Sequence, residues 1–264
     1  YRCSAGTSST VVWHKIEFTN GNTSGNLFAS AGACIDCKFT NTGGTGYKVI
    51  PRNAVLIGCV FDNVGSSNNG TLANGGGQTY MHKCLFKQGS NSVQAVYRGY
   101  LRATNSVFWL NGGNRVLWDG GSYELVNCVL YQQSTGTGSG IGAAGGVGRR
   151  IITNCYFEGL VTGFGAQDGI NIASNNAFYN NTTNVSSGSA HMYYDAGTDL
   201  ALSASGLTDP SNGDFTPTSD LIAKGFPTDI PGTSTATNFP IGAITATGGG
   251  GSTVQTVASI ERLK

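Results

Sequence analysis

Short alternating runs of apolar and polar residues fill this chain, and one three-residue unit returns about once every 22 residues. It pairs a small residue with an aromatic or large aliphatic one two places later. The copies are Ile16-Glu17-Phe18, Cys37-Lys38-Phe39, Cys59-Val60-Phe61, Cys84-Leu85-Phe86, Ser106-Val107-Phe108, Cys128-Val129-Leu130, Cys155-Tyr156-Phe157 and Asn176-Ala177-Phe178. Their last residues fall 21, 22, 25, 22, 22, 27 and 21 apart. A separation of two puts both motif side chains on one face of a strand, with the residue between them (Glu17, Lys38 or a variable type) pointing outward.

A polar residue often precedes the unit: Asp36, Lys83, Asn105, Asn127, Asn154 and Asn175. Amides also recur two places after the aromatic, at Asn20, Asn41, Asn63, Gln88, Gln132 and Asn180. Stacked at the ~4.8 Å strand spacing, such residues are expected to form amide ladders that satisfy turn backbone groups. Leucine is too sparse for a leucine-rich repeat, and the 3.6-residue stripes of helical repeats are absent. A β-sandwich would not hold one motif in register for eight cycles. The expected fold is therefore an all-β, right-handed parallel β-helix: a solenoid of about 8–10 coils of ~22 residues, closed by an irregular C-terminal cap.

Composition narrows the function classes. Fifteen Lys and Arg against fourteen Asp and Glu leave a formal charge of +1, without the one-sign excess of a nucleic-acid or anionic-membrane binder. Charged residues are only 11% of the chain and glycines number 41. A surface wet through hydroxyls and amides points to an extracellular, cell-surface or virion setting. No run approaches the ~18 apolar residues of a membrane span. No signal peptide is evident, so the chain is expected to be a mature or trimmed product.

The seven cysteines (Cys3, Cys34, Cys37, Cys59, Cys84, Cys128 and Cys155) form no paired framework. Cys34-x-x-Cys37 lacks a second half, and His14, His82 and His191 are scattered, so no metal and no cofactor are expected. Five of the thiols fall in one inward column as small core residues, reduced because in-register neighbours on parallel strands suit a disulfide poorly. Cys3 with Cys34 is the one pair left open as a bridge.

Three regions are expected: coils over 1–206, a cap over 207–246, and a Gly-rich linker with tail over 247–264. The stretches Leu207-Thr-Asp-Pro-Ser-Asn-Gly-Asp-Phe215 and Ser219-Asp-Leu-Ile222-Ala-Lys-Gly225, followed by Pro240-Ile-Gly-Ala-Ile244, carry a resemblance. With the repeats they resemble secreted bacterial and phage proteins of the pectate-lyase-like β-helix superfamily, over about residues 11–246. In that superfamily such a stretch closes the last coil. The resemblance implies the fold but transfers no catalytic residue. Pectate-lyase R-x-P-x-x-R, the polygalacturonase N-x-D, D-D, G-H-G and R-I-K elements, and the pectin methylesterase motifs are all missing. Arg149-Arg150-Ile151 touches only one of them.

The richest chemistry lies on coils four and five: Tyr97, Arg98, Tyr100, Arg102, Trp109, Arg115, Trp118, Asp119, Tyr123 and Glu124. Aromatic rings stack on sugar faces and arginine pairs with uronate carboxylates. The candidate glycan-binding set is Tyr97, Arg98, Arg102, Arg115, Trp118, Asp119 and Glu124. Counting from each coil's aromatic puts Tyr97, Asp119 and Asp168 in one column. Asp119 and Asp168, two coils apart with Arg98 nearby, are the candidate catalytic groups, near the upper separation for an inverting glycosidase. The competing reading makes Tyr97 and Trp118 ordinary coil residues and Arg98 and Asp119 a surface ion pair worth little.

The expected function is a non-catalytic structural or binding β-helix of a surface or virion assembly, such as a phage tail, decoration or fibre component, with polysaccharide as a candidate ligand. The alternatives are a polysaccharide lyase or glycosidase acting on an acidic polysaccharide, and a carbohydrate-binding module of a larger secreted protein. Partners are expected to be copies of the chain or a larger assembly. They would engage the open first coil and the tail Ser252–Lys264, where Val254, Val257, Ile260 and Leu263 fall three apart.

Overall fold

The computed structural model describes residues 11–19, 32–40, 53–64, 77–88, 94–97, 99–110, 115–118, 122–133, 138–142, 148–165, 170–186, 192–195, 199–218 and 221. Its strands stack as a parallel β-solenoid. The first sheet has nine strands: Val11–His14, Gly32–Ile35, Ala54–Ile57, Gln78–His82, Tyr100–Thr104, Ser122–Val126, Arg150–Thr153, Asn171–Ser174 and Met192–Asp195. The second also has nine, running from Glu17–Thr19 and Lys38–Thr40 to Ala177–Tyr179 and Leu200–Ala201. A third, of five strands, spans the fourth to eighth coils: Gln94–Tyr97, Arg115–Trp118, Ser139–Ile141, Thr162–Gly165 and Thr183–Ser186. Each inner strand lies between its counterparts from the coils before and after.

The repeat unit becomes the lumen. Phe39, Phe61, Phe86, Phe108, Leu130 and Phe157 are in register down the second sheet and fully buried. Phe39 and Phe61 stack at 4.6 Å with planes 3° apart, and Phe157 and Phe178 at 5.2 Å. Opposite them the first sheet presents Cys34, Leu56, Met81, Ala103, Leu125 and Ile152, also one column.

The polar residue before each unit is a sharp corner between the first two sheets. Lys15, Asp36, Lys83, Asn105, Asn127, Asn154 and Asn175 have φ of 50–57°, and Gly58 takes 63° at the same place. That left-handed conformation favours glycine and, among side chains, Asn and Asp. The amide ladder is present: Asn154 donates to Asn127, and Asn175 donates to Asn154 at 3.1 Å. Backbone hydrogen bonds run through the corner as well, as from Asp36 N to Ile57 O at 2.8 Å. In the second amide run Gln88 and Gln132 are buried and Asn180 takes a positive φ of 52°. Asn20 and Asn41 lie outside the described residues, as does the side chain of Asn63.

The cysteine column proves to be more than apolar filler. Cys59, Cys84 and Cys128 thiols donate to carbonyls of the coil before, at Cys34, Leu56 and Ala103 (3.2, 3.5 and 3.4 Å). Ser106 and Asn176 occupy the same column because they donate too, to Thr104 O and Ile152 O. They also accept from the backbone N–H of Cys84 and Cys155. All six described cysteines are buried free thiols, Cys34 among them; Cys3 lies outside the described residues. Burial pushes the Cys155 thiol up, and all six lie beneath the sheets, closed off from a reagent in water. A thiol reagent is therefore expected to label these six only once denaturant opens the coils, with labelled sites mapped by mass spectrometry.

The described part of the C-terminal segment forms a two-stranded antiparallel hairpin, Leu207–Asp209 and Asp214–Pro217, around the short 3-10 turn Pro210–Asn212. This hairpin packs along the flank, on the outward side of the second sheet. Phe215 meets Trp109 and Tyr131 edge-on at 5.4 and 5.8 Å. Leu207, Phe215 and Leu221 bury the outward residues Val107, Trp109, Val129, Tyr131 and Tyr156. This second core accounts for a switch in the sequence. The outward positions of the early coils are charged, with Lys38 3.6 Å from Glu17 and Lys87 3.7 Å from Asp62. From Val60 onward the middle residue of the unit is apolar instead (Val60, Leu85, Val107, Val129, Tyr156 and Ala177), and these residues pack into the core under the hairpin.

Candidate functional site

Period-two alternation places Gln78, Tyr80, Tyr100, Arg102 and Glu124 on the outward face of the first sheet. Tyr80, Arg102 and Glu124 are successive register partners, and Gln78 and Tyr100 form the neighbouring column. Coil stacking at ~4.8 Å brings such neighbours into contact. The Tyr80 and Tyr100 rings lie 6.0 Å apart at 62°. Tyr80 donates its hydroxyl to Gln78 Oε1 and Tyr100 donates to Glu124 Oε2, both at 3.1 Å. Arg102 Nε lies 3.4 Å from Glu124 Oε1, with its side chain 51% exposed. At that exposure the ion pair orients the two groups and adds at most about 1 kcal/mol of stability. Burial and then the bond to Glu124 push the Tyr100 hydroxyl up, so it stays a neutral donor at physiological pH.

Exposed apolar side chains lie along the same face. Val12 is 60% exposed, Val55 40% and Tyr80 38%. The result is a flat strip with rings and aliphatic groups along it and one guanidinium–carboxylate pair at its middle. Such a surface can stack on a saccharide ring and hydrogen-bond its hydroxyls.

Of the candidate residues read from the sequence, Arg102 and Glu124 are brought together. Tyr97 and Trp118 are register partners in the third sheet, and Arg115 pairs with Gln94 there. This corrects the expected column: Tyr97 aligns with Trp118 and not with Asp119. Arg98, Asp119 and Asp168 lie outside the described residues. His14 and His82 end first-sheet strands. His14 lies 3.7 Å from Asp36, and His82 Nδ1 lies 2.8 Å from Thr104 Oγ1. Burial, with Lys83 adding to it, pulls His82 down.

Sequence reasoning passed over Gln78 and Tyr80, whose signal was the alternation Gln78-Thr-Tyr-Met-His82. It also missed Arg150, which is fully buried in the lumen, donates to Gly165 O at 2.7 Å and lies 5.7 Å from the Tyr123 ring. Burial pulls its guanidinium down to about 10, still cationic at neutral pH.

Among the described residues, no cluster of three His, Cys, Asp or Glu side chains could hold a metal ion, and no helix is long and apolar enough to cross a membrane. The chain matches no protein-family model, no curated protein and no solved structure.

Proposed function

We propose that this chain is a non-catalytic binding β-solenoid of an extracellular or virion surface assembly, with polysaccharide as the ligand of its first sheet. The observation that carries this reading is the Tyr80–Tyr100 pair beside the Arg102–Glu124 pair, on a sheet face that also exposes Val12 and Val55. Burying such a face against water alone gains nothing, whereas a sugar ring covers the aromatic carbons and keeps the polar groups paired. The hydroxyl- and amide-rich surface agrees with an extracellular setting. So does the likeness of the repeats to the pectate-lyase-like superfamily. Assembly with further copies through Ser252–Lys264 belongs to the same reading.

Affinity electrophoresis in gels containing acidic or neutral polysaccharides tests it. Retardation by at least one of them is expected, and Tyr100→Ala and Arg102→Ala should each weaken it about tenfold, or roughly 1.4 kcal/mol. The melting temperature should hardly change, because both side chains lie on the outer face. Release of new reducing or unsaturated ends from a retarding polysaccharide would instead establish the lyase or glycosidase reading. No retardation by any of them would remove the glycan ligand.

A further inference from the structure

We propose that residues 203–218 form a displaceable strap on the flank of the solenoid, latched by Glu158 and released as pH rises. The strap takes no part in the sheets it covers. Each second-sheet strand hydrogen-bonds to the strands of neighbouring coils, so lifting the strap breaks no ladder. Its grip is the apolar seat under Leu207 and Phe215 and one buried polar junction.

That junction centres on Glu158, only 7% exposed. Tyr156 donates to Glu158 Oε2 at 2.6 Å from the same strand, and Ser205 donates to the same oxygen at 2.9 Å from the strap. The strap's Gly206 N–H donates to the Tyr156 hydroxyl at 2.8 Å. Among the described residues, Glu158 and Tyr156 are the ionisable groups of the solenoid face that hydrogen-bond the strap directly, and Glu158 is the one carboxyl.

The groups around it supply no counter-charge. Its register partners in the coils below and above are Tyr131 and Tyr179. Asp209 of the strap bears on Tyr131 with negative charge. Among the described residues no lysine or arginine pairs with Glu158. An ionised carboxylate here loses water and gains two hydrogen bonds but no cation. Burial outweighs those bonds and holds the Glu158 carboxyl above its ordinary range. Tyr156 is pushed up by burial and then by Glu158, so it remains a neutral donor. Asp209 is held down by hydrogen bonds from Asn212 and Ser211, so it stays ionised throughout.

The sign follows from linkage. A carboxyl raised on docking favours the docked state when protonated. Docking is strongest below the ordinary glutamate value of about 4.3 and weakens as pH climbs to the raised docked value. Release uncovers Val107, Trp109, Val129, Tyr131 and Tyr156, a continuous apolar strip.

The test is hydrogen–deuterium exchange of the intact chain, read on peptides covering 203–218 and, as an internal control, on first-sheet strands. Wild type and Glu158→Gln are compared at equal pH, which removes the intrinsic pH effect on exchange. At pH 4.5 the two straps should be equally protected. At pH 8 the wild-type strap should exchange several-fold faster than that of Glu158→Gln, with the first sheet protected in both. Ser205→Ala changes only the strap. It removes a donor to the ionised form together with the partner of Leu207 N–H, so it should exchange faster than wild type at pH 8, by a larger factor than at pH 4.5. Equal wild-type and Glu158→Gln straps at both pH values would overturn the proposal. So would strap exchange that only follows the first sheet, or a Ser205→Ala strap no faster than wild type at pH 8.

Discussion

Replacing Phe61 by alanine is expected to destabilise the chain by about 3–5 kcal/mol, the range for emptying a fully packed aromatic site. Phe61 is fully buried and lies between two register partners, stacked on Phe39 at 4.6 Å and tilted against Phe86 at 5.8 Å. Its removal takes away its own transfer free energy and one face of each neighbouring ring. A solenoid cannot collapse sideways to refill the gap, because the coil spacing is set by backbone hydrogen bonds above and below. Stability in such folds is close to a sum of coil and coil–coil contributions, so loss at an inner coil weakens two junctions. Phe18 of the first coil is only half-buried, and Phe18→Ala should cost clearly less. Urea denaturation followed by far-ultraviolet circular dichroism measures both. Equal midpoint shifts would show that the phenylalanine column is not stabilised through its neighbours.

The second large effect is expected at Asn154. Its φ of 57° lies in the left-handed region, and it links Asn127 and Asn175 in the amide ladder. Asn154→Ala loses both features: about 1–2 kcal/mol for a β-carbon in that conformation and about 1 kcal/mol for each hydrogen bond. The total expectation is about 3–4 kcal/mol. Asn154→Gly separates the two causes. Glycine adopts the conformation without strain, and Gly58 already occupies the same corner four coils earlier. The glycine variant should therefore lose only the ladder contribution and fall between wild type and the alanine variant in denaturant midpoint. If alanine proved no worse than glycine, the left-handed corner would not be what selects asparagine here.

These two positions also show how much of the fold was legible in the chain. A coil period of about 22 residues determines which residues become neighbours, so the phenylalanine, cysteine and asparagine columns can be read by counting. The corner column announced its conformation through Gly58 among Asp and Asn residues. The hydrogen-bonding role of the cysteine column was signalled by Ser106 and Asn176, which share a donor with cysteine but not its hydrophobicity.

The candidate site was legible only in part. Arg102 and Glu124 lie on strands whose length does not vary, so their meeting could be counted out. Tyr97 and Asp119 could not be aligned that way. They follow loops of unequal length, and a difference of one residue moves a column to its neighbour. The register accordingly pairs Tyr97 with Trp118.

By itself the sequence determined the solenoid, its inward columns and its corners, because those depend on a repeat that each coil carries locally. Only the tertiary structure decided what each outward face meets. Alternation shows that Trp109 and Tyr156 point away from the lumen, but not that they are covered. Their cover comes from far along the chain: Gly206 meets Tyr156 across 50 residues. The burial of Arg150 beside Gly165 was likewise invisible, since a charged residue in a strand pattern is ordinarily assigned to solvent. Coil-to-coil neighbours follow from the period, whereas contacts across the flank depend on the path of a non-repeating segment.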